Sequence, residues 1–397
     1  MCVDYEGLVD FLARTEGPFG VLTMQATPTA GRLMAHFPDR LAALYSAEHG
    51  YFGIALPGEK TASTRHPIWD KPIHSLYGEH RKPTPEMLQG IGRMVVDLCD
   101  IGVRCYTYLA TLKNTLEACA EAGLPVTVLD RPVPFGGVVD GPMLEPSLAS
   151  FVAPVEVPLC HGMTPGECAT WIAGRENLKL ELNAIRVRDW SHADRLPWPN
   201  FIPPSPAIRS WDSAALYPLT VFTEAYPAVD CDRSGSLAFR VLGAPWLEAT
   251  AVIGDVGREL AACGVETRPY RYVTQYGAYK GTALDGVLFS IADGCGAFRP
   301  AEAGVRVLAT LVRRYGDKVF AEGRDAWLDK LYGTTSVREA VKGGDIGPLF
   351  GVWADALAAY RQTRADLYWS PDKVNATMGR LNARLSDRVH LVCPKCI

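Results

Sequence analysis

Three short apolar runs, each followed by an acidic residue, constrain the fold of this chain more than any other feature of its sequence. The runs and their acids are Leu41–Tyr45 with Glu48, Met94–Cys99 with Asp100, and Val126–Leu129 with Asp130. Near-continuous apolar runs are typical of buried parallel strands, and open α/β sheets bind ligands beyond the carboxyl ends of such strands. We therefore predict that the acids share one sheet edge and form a site, although any one acid alone would serve equally well to cap a helix or order a loop.

Helical segments alternate with these strands along the chain, as they do in a parallel sheet that is covered by helices. A helix near Tyr5–Thr15 precedes a first strand at Gly20–Met24, and a long helix is predicted from about Arg104–Ala122. Two further helices are marked by a threonine N-cap before a proline at the first helical position, Thr84-Pro85 and Thr164-Pro165. The alternation predicts an α/β protein with a parallel sheet covered by helices.

The length of 397 residues exceeds what one hydrophobic core usually supports, so two domains are expected. A cluster of turn residues at Asp230–Gly235 favours a boundary nearby. We assign residues 1–228 to a first domain and 371–397 to a C-terminal tail. Residues 229–370 are assigned to a second domain, which is expected to cover a cleft at the sheet edge that carries the acids. The tail carries Cys393 and Cys396, which are half a zinc site at best and are assigned no chemistry.

Composition excludes several classes of partner. A net charge of −4 gives no sign of nucleic-acid or membrane binding, and no apolar run approaches a membrane span. The N-terminus lacks the basic and apolar segments of a secretory signal. The cysteines, 11 in number and without the framework of a small disulfide-rich domain, are typical of a reducing compartment. Together these features predict a cytoplasmic globular protein.

A series of short motifs resembles the exo-β-N-acetylmuramidase (NamZ) family. The motifs are Ala47-Glu48-His49-Gly50, Ser75-Leu-Tyr-Gly78, Arg81-Lys-Pro-Thr-Pro-Glu-Met-Leu88, Asp97-Leu-Cys-Asp-Ile-Gly-Val-Arg104, Cys105-Tyr-Thr-Tyr108, Leu129-Asp-Arg-Pro132, His161-Gly-Met-Thr164, Ile202-Pro-Pro-Ser-Pro206 and Gly243-Ala-Pro-Trp246. The resemblance implies an α/β fold in which a Rossmann-like parallel-sheet domain is joined to a smaller C-terminal α+β auxiliary domain. It also implies removal of a terminal N-acetylmuramic acid from peptidoglycan fragments, with Glu48 as the catalytic acid/base.

Five positions depart from the family pattern, which has Asn, Gln or Arg there. They are Met24, Cys99, Val133, Cys160 and Ala207. Loss of one buried partner for a ligand group costs roughly 1–3 kcal/mol, so these departures predict that muramic acid glycosides are poor substrates. Our main functional prediction is an enzyme of specialised small-molecule metabolism that displaces a leaving group at carbon, such as an amine cyclisation to an aziridine with loss of sulfate. An exo-β-N-acetylmuramidase-like glycoside hydrolase and a non-catalytic partner subunit are the alternatives.

The predicted site combines acid/base groups with cations. Such a reaction needs an acid or a cation at the leaving group and a base at the nucleophile. The candidate catalytic residues are Glu48, Asp100, His49 and Tyr77. The candidate substrate-binding residues are Arg65, Lys82, Arg104, Asp130, Arg131 and His161. Arg104 is the strongest candidate for binding an anionic leaving group, because it is predicted to start the helix after Asp100. Each cation alone would equally be a solvated or ion-paired surface residue.

Neither a cofactor nor a metal is predicted. No GxGxxG motif follows the first strand, no GxSxG motif is present, and the histidines lack the HxxxH or HxH spacing of metal ligands. The expected partner is a small-molecule substrate, anionic or carrier-bound, and a small partner protein is a further expectation.

Overall fold

The computed structural model of the protein describes residues 3–134, 136–194, 198, 200–293 and 297–365. Its strands are β1 (Phe19–Leu22), β2 (Leu41–Ser46), β3 (Thr64–Arg65), β4 (Pro72–Ser75), β5 (Arg93–Val96), β6 (Val126–Leu129), β7 (Asp140–Met143), β8 (Pro158–Cys160), β9 (Leu182–Ile185), β10 (Val241–Gly243), β11 (Val265–Val273) and β12 (Ala283–Ile291). Its α-helices are α1 (Tyr5–Ala13), α2 (Thr29–His36), α3 (Pro85–Leu88), α4 (Tyr108–Glu121), α5 (Pro165–Arg175), α6 (Trp211–Thr220), α7 (Ala249–Ala262), α8 (Pro300–Tyr315), α9 (Asp317–Phe320), α10 (Asp325–Tyr332), α11 (Ser336–Gly343) and α12 (Gly347–Ala365). Short 3₁₀ helices span Pro146–Leu148 and Val221–Glu224. The predictions for Cys393 and Cys396 lie outside the described residues.

A seven-stranded sheet in the order β3-β4-β2-β1-β5-β6-β9 forms the first domain. Its neighbouring strands pair in parallel, except that β3 is antiparallel to β4. Every residue of β1 and β6 is buried, as expected of parallel strands covered on both faces. The predicted α/β fold with a mostly parallel sheet is confirmed.

The three acids follow strands that run in the same direction. Strands β2, β5 and β6 belong to one run of parallel pairings through β1. Glu48, Asp100 and Asp130 therefore lie beyond the same edge of the sheet, as the sequence predicted.

Helix starts were predicted well where a cap was visible. The Thr84 side chain accepts a hydrogen bond from the Met87 backbone N–H, and Thr164 forms a reciprocal capping box with Glu167. The predicted start of α4 at Arg104 is wrong, because the helix begins at Tyr108. The Arg104 backbone N–H donates instead to the carbonyl of Leu159, next to an isolated bridge between Val103 and Cys160.

A smaller second domain follows the sheet domain. Its three-stranded antiparallel sheet has the order β10-β12-β11, and α7 packs against β11. Among the described residues, no helix has the length and apolar character needed to cross a membrane.

Arg104 connects the two parts of the chain. Its guanidinium is fully buried and donates to the carbonyls of Pro142 (3.0 Å) and Val157 (2.7 Å) beside the sheet. The same group donates to the carbonyls of Leu331 and Tyr332, the last residues of α10. A cation at a helix C-terminus is favoured because unpaired carbonyls point at it.

Asp140, at the start of β7, makes a second connection between the two domains. Its carboxylate accepts hydrogen bonds from the backbone N–H groups of Ala301 (2.7 Å) and Glu302 (3.1 Å), in the first turn of α8. Burial raises the pKa of Asp140 to about 6. Side chains of the first domain thus satisfy one helix start and one helix end of the second.

We predict that Arg104→Met lowers the free energy of unfolding by about 2–4 kcal/mol, because buried carbonyls on both domains lose their donor. Urea unfolding followed by circular dichroism measures this. Arg313→Met, which removes an exposed guanidinium paired with Asp255, is the matched control and should change stability by less than about 1 kcal/mol. Equal stability of the two variants would contradict the role given to Arg104.

Candidate active site

A cavity of about 300 Å³ opens beyond the carboxyl end of β2. It is lined by residues from both domains, and several are polar or aromatic. The lining residues are Glu48, His49, Pro57, Gly58, Tyr77, Cys105, Tyr106, Thr107, Val152, Ser205, Ala207, Ile208, Tyr217, Glu224, Arg233, Phe239, Arg324 and Trp327. Three of the four predicted catalytic residues, Glu48, His49 and Tyr77, therefore meet in one cavity.

Both carboxylate oxygens of Glu48 are held in place. Oε1 accepts a hydrogen bond from the Gly58 backbone N–H at 2.7 Å, and Oε2 accepts one from the Thr107 hydroxyl at 2.5 Å. The residue is buried at the wall of the cavity. A carboxylate fixed at both oxygens has a defined direction toward a ligand, which proton transfer requires.

His49 shapes the loop that follows Glu48. Its backbone has φ 73°, a left-handed conformation that is uncommon outside glycine and often found at functional sites. Its Nδ1 lies 2.9 Å from the Ala55 carbonyl oxygen. Since a carbonyl only accepts, Nδ1 carries the proton. Burial lowers the pKa of His49, so the ring is neutral at pH 7.

Tyr77 completes the predicted part of the site. Burial, together with the neighbouring Glu48 carboxylate, raises the pKa of Tyr77 to about 12, so its hydroxyl stays protonated at neutral pH. The Arg81 guanidinium lies over the Tyr77 ring, 4.8 Å from its centroid. Tyr77 is thus a hydrogen-bond donor beside Glu48.

Glu224, which the sequence analysis missed, is the second carboxylate of the cavity. Its Oε1 accepts a hydrogen bond from the Tyr217 hydroxyl at 3.1 Å and pairs with Nη2 of Arg233 at 3.0 Å. Burial acts to lower the pKa of Arg233, but Glu224 and other neighbours outweigh it and the pKa is raised. Arg233 is therefore a permanent cation.

No local pattern marks Glu224 in the sequence. It ends a 3₁₀ helix rather than following a strand, and it precedes the turn cluster in which a domain boundary was predicted. The one sequence feature that could have indicated it is the oppositely charged Arg233 a few residues further along the chain. Arg324 and Trp327 come from the second domain, and no sequence pattern indicated that either would line the cavity.

Asp100 and Asp130 share the sheet edge but do not line this cavity. Asp100 accepts a hydrogen bond from the Gly102 backbone N–H at 2.7 Å, and burial raises its pKa to about 7. Asp130 accepts from the Gly166 N–H and the Thr164 hydroxyl, at the start of α5. Its carboxyl faces a separate cavity of about 430 Å³. Both acids thus order backbone, which was the simpler expectation for them.

None of the four cations predicted to bind substrate lines this cavity. Arg104 is buried and donates to carbonyls of both domains, as described above, and Arg131 is buried in an ion pair with Asp97. Arg65 is exposed and pairs with Asp70 at 2.5 Å. Lys82 pairs with two glutamates of α4, Glu117 (3.4 Å) and Glu121 (2.7 Å).

His161 is a buried structural residue. Its Nδ1 accepts a hydrogen bond from the Met163 backbone N–H at 3.2 Å. Burial, assisted by Arg364 and Arg104, lowers the pKa of His161 to about 3, so the ring is uncharged. Within the described ranges, no three His, Cys, Asp or Glu side chains are grouped so that they could hold a metal ion.

The departures from the family pattern are spread over the fold. Of the five positions, Ala207 lines the cavity, whereas Met24, Cys99, Val133 and Cys160 do not. These four side chains are buried elsewhere. The departures therefore change the wall of this cavity at Ala207 and not at the other four positions.

The raised pKa of Asp130 gives a pH prediction. Burial and the Glu167 carboxylate raise the pKa to about 7, from 3.8. The folded protein then holds this proton more tightly than the unfolded chain, so the stability it contributes below pH 4 is lost as the pH rises through 7. Asp130→Asn should gain on the order of 4 kcal/mol relative to wild type between pH 4 and 8.

Urea unfolding of both proteins at several pH values measures this difference. The exposed Asp39→Asn is the control and should show no such trend. A stability difference that stays constant with pH would contradict the raised pKa.

Comparison with known proteins places the chain in a family. Models of the N-terminal and C-terminal domains of exo-β-N-acetylmuramidase NamZ match residues 20–212 and 215–369. Peptidoglycan β-N-acetylmuramidase NamZ of Bacillus subtilis is 32% identical over 335 residues, which cover 82% of this chain and 79% of that protein. The predicted domain boundary at residue 228 stays a prediction.

Solved structures agree with this assignment. A crystal structure of a DUF1343 family protein from Bacteroides fragilis has a TM-score of 0.81 and 27% identity, covering 90% of this chain and 95% of that one. A second DUF1343 family protein from the same organism shares the fold, with a TM-score of 0.70, 22% identity and the same coverage. The chain belongs to the exo-β-N-acetylmuramidase NamZ family.

Proposed function

We propose that the protein is a glycoside hydrolase that removes a terminal N-acetylmuramic acid residue from peptidoglycan fragments. The observation that carries this proposal is the presence of two carboxylates, Glu48 and Glu224, in the wall of one cavity. Most glycoside hydrolases use such a pair, one on each side of the bond that breaks. The reading that the sequence analysis held as its alternative thus becomes the first candidate.

Glu48 is assigned the role of general acid. It gives a proton to the glycosidic oxygen as the bond between that oxygen and the anomeric carbon breaks. The Gly58 N–H and the Thr107 hydroxyl fix the plane of the carboxyl group throughout this transfer. Tyr77, held protonated beside Glu48, supplies a further donor to the substrate.

Glu224 is assigned the second carboxylate role. It either takes a proton from the attacking water or bonds to the anomeric carbon itself before water releases the sugar. Arg233 and Tyr217 both bind Oε1, which leaves Oε2 for this task.

The size of the cavity supports action at a chain end. A volume of about 300 Å³ is at the lower end of the range for ligand pockets. This favours a single sugar ring over a long polysaccharide. The named activity of the Bacillus subtilis relative, a peptidoglycan β-N-acetylmuramidase, supports N-acetylmuramic acid as that sugar.

We predict that Glu48→Gln and Glu224→Gln each lower kcat on a chromogenic β-N-acetylmuramic acid glycoside by roughly 10²–10⁴-fold, with little change in folding. The double variant should be about as poor as the worse single variant, because the two carboxylates act as a unit. Glu181→Gln, an exposed acid paired with Arg93, is the matched control. A Glu48→Gln protein with full activity would remove the basis of the proposal.

Displacement of a leaving group at carbon remains a second candidate, since Ala207 replaces a family asparagine in the cavity wall. In its concrete form a substrate amine attacks the adjacent carbon that bears a sulfate ester. The C–N bond of an aziridine forms, the C–O bond breaks, sulfate leaves, and a carboxylate accepts the amine proton. Such an enzyme would serve specialised small-molecule metabolism.

One pair of assays separates these two candidates. Wild-type protein is incubated with the muramic acid glycoside and, separately, with a vicinal amino-alkyl sulfate, and release of aglycone and of inorganic sulfate is followed. Turnover of the glycoside on the order of 1–1000 per second supports the hydrolase. Sulfate release that depends on Glu48 or Glu224, without glycoside turnover, supports the displacement reaction.

A further inference from the structure

We propose that Arg324 and Arg233 form an anion-binding subsite in the Glu48–Glu224 cavity, and that the substrate carries an anionic oxygen group that binds there. The inference deepens the proposed function by naming a required feature of the ligand, and it rests on that cavity being the substrate site. Neither arginine was among the cations that the sequence predicted to bind substrate.

Arg324 is a cation with a supporting frame. Its guanidinium lies over the Trp327 ring, 5.4 Å from the centroid, and donates to the Glu224 backbone carbonyl at 3.3 Å. Its own backbone N–H donates to the Ala225 carbonyl at 2.9 Å. These contacts restrict the position of the side chain. Among the residues that the structure describes, no carboxylate forms an ion pair with it.

Arg233 is only partly used by the protein. One nitrogen, Nη2, pairs with Glu224 at 3.0 Å, and a quarter of the side chain remains exposed. Its Nε is buried and has no hydrogen-bond partner in the described part of the chain. A buried donor without a hydrogen-bond partner raises the free energy of the folded protein. A ligand that draws the Arg233 guanidinium toward it would give this donor a partner and would bind more tightly for that reason.

The pairing of the charged groups in the cavity leaves the Arg324 guanidinium available to a ligand. Glu224 pairs with Arg233, and Arg324 forms no ion pair with a described carboxylate, although Glu48 also lines the cavity. Guanidinium groups bind carboxylate, sulfate and phosphate through paired N–H donors. The ligand group is therefore the lactyl carboxylate of a muramic sugar or the sulfate or phosphate of another substrate, and all three present the same anionic oxygens.

Calorimetric titration with matched sugars tests the subsite. N-acetylmuramic acid and N-acetylglucosamine differ by the lactyl ether with its carboxylate, and inorganic sulfate is titrated as a third probe. Wild type should bind N-acetylmuramic acid at least about 10-fold more tightly than N-acetylglucosamine. In Arg324→Gln this ratio should fall toward one, while N-acetylglucosamine binds as before. Arg271→Gln, an exposed arginine paired with Asp285, is the control and should keep the wild-type ratio.

The outcomes separate this inference from the proposed function. If sulfate binds wild type but not Arg324→Gln, and neither sugar binds, the anion subsite stands and the glycoside reading falls. If both sugars bind wild type equally, or if Arg324→Gln binds every probe as wild type does, the subsite is overturned even where the glycosidase assay succeeds. Arg233→Gln provides a second variant, and its folding is checked by circular dichroism because Glu224 loses its partner.

Discussion

The buried guanidinium of Arg104 is the interaction on which the cavity depends. No carboxylate of the described residues pairs with it, and burial lowers its pKa to about 10. Carbonyl dipoles from both domains hold the charge in place of an ion. Gly333, with φ 68°, lies so close that a Cβ there would meet the guanidinium at 2.5 Å. A charge kept in the protein interior by dipoles alone tolerates little movement of either domain, because each displaced carbonyl costs a charge-assisted hydrogen bond.

This constraint reaches the cavity that Glu48 and Glu224 line through very few bonds. The three residues after Arg104, Cys105–Thr107, line the cavity, and Thr107 donates to Glu48. The opposite carboxylate, Glu224, belongs to a segment whose next residue, Ala225, accepts a hydrogen bond from the Arg324 backbone N–H. Glu48 is thus placed by contacts within the first domain, and Glu224 by contacts with residues of both domains. Such precise placement is what acid/base chemistry at a single bond requires.

Local patterns in the sequence were sufficient for much of the fold. Apolar runs located β2, β5 and β6, and the threonine–proline pairs located the starts of α3 and α5, because these features depend on near neighbours. Glu48 and His49 were predicted near one edge of the sheet because they follow the end of β2, and Tyr77 because it lies in a turn between strands that precede the acids. The roles of Arg104 and Arg131 depend on partners far along the chain. Whether a charged side chain is buried against carbonyls or exposed on a rim is decided by tertiary packing, which periodicity does not reveal.

The segment that carries Ala207 is anchored independently of the carboxylates. The Tyr108 hydroxyl donates to the Pro204 carbonyl at 2.6 Å, and the Ile208 N–H donates to the Ser205 hydroxyl oxygen at 3.1 Å. Neither contact involves Glu48 or Glu224. A side chain on this wall is therefore exchangeable without removing a hydrogen bond to either carboxylate. A substitution confined to this wall is expected to change which molecules the cavity accepts while both carboxylates keep their positions.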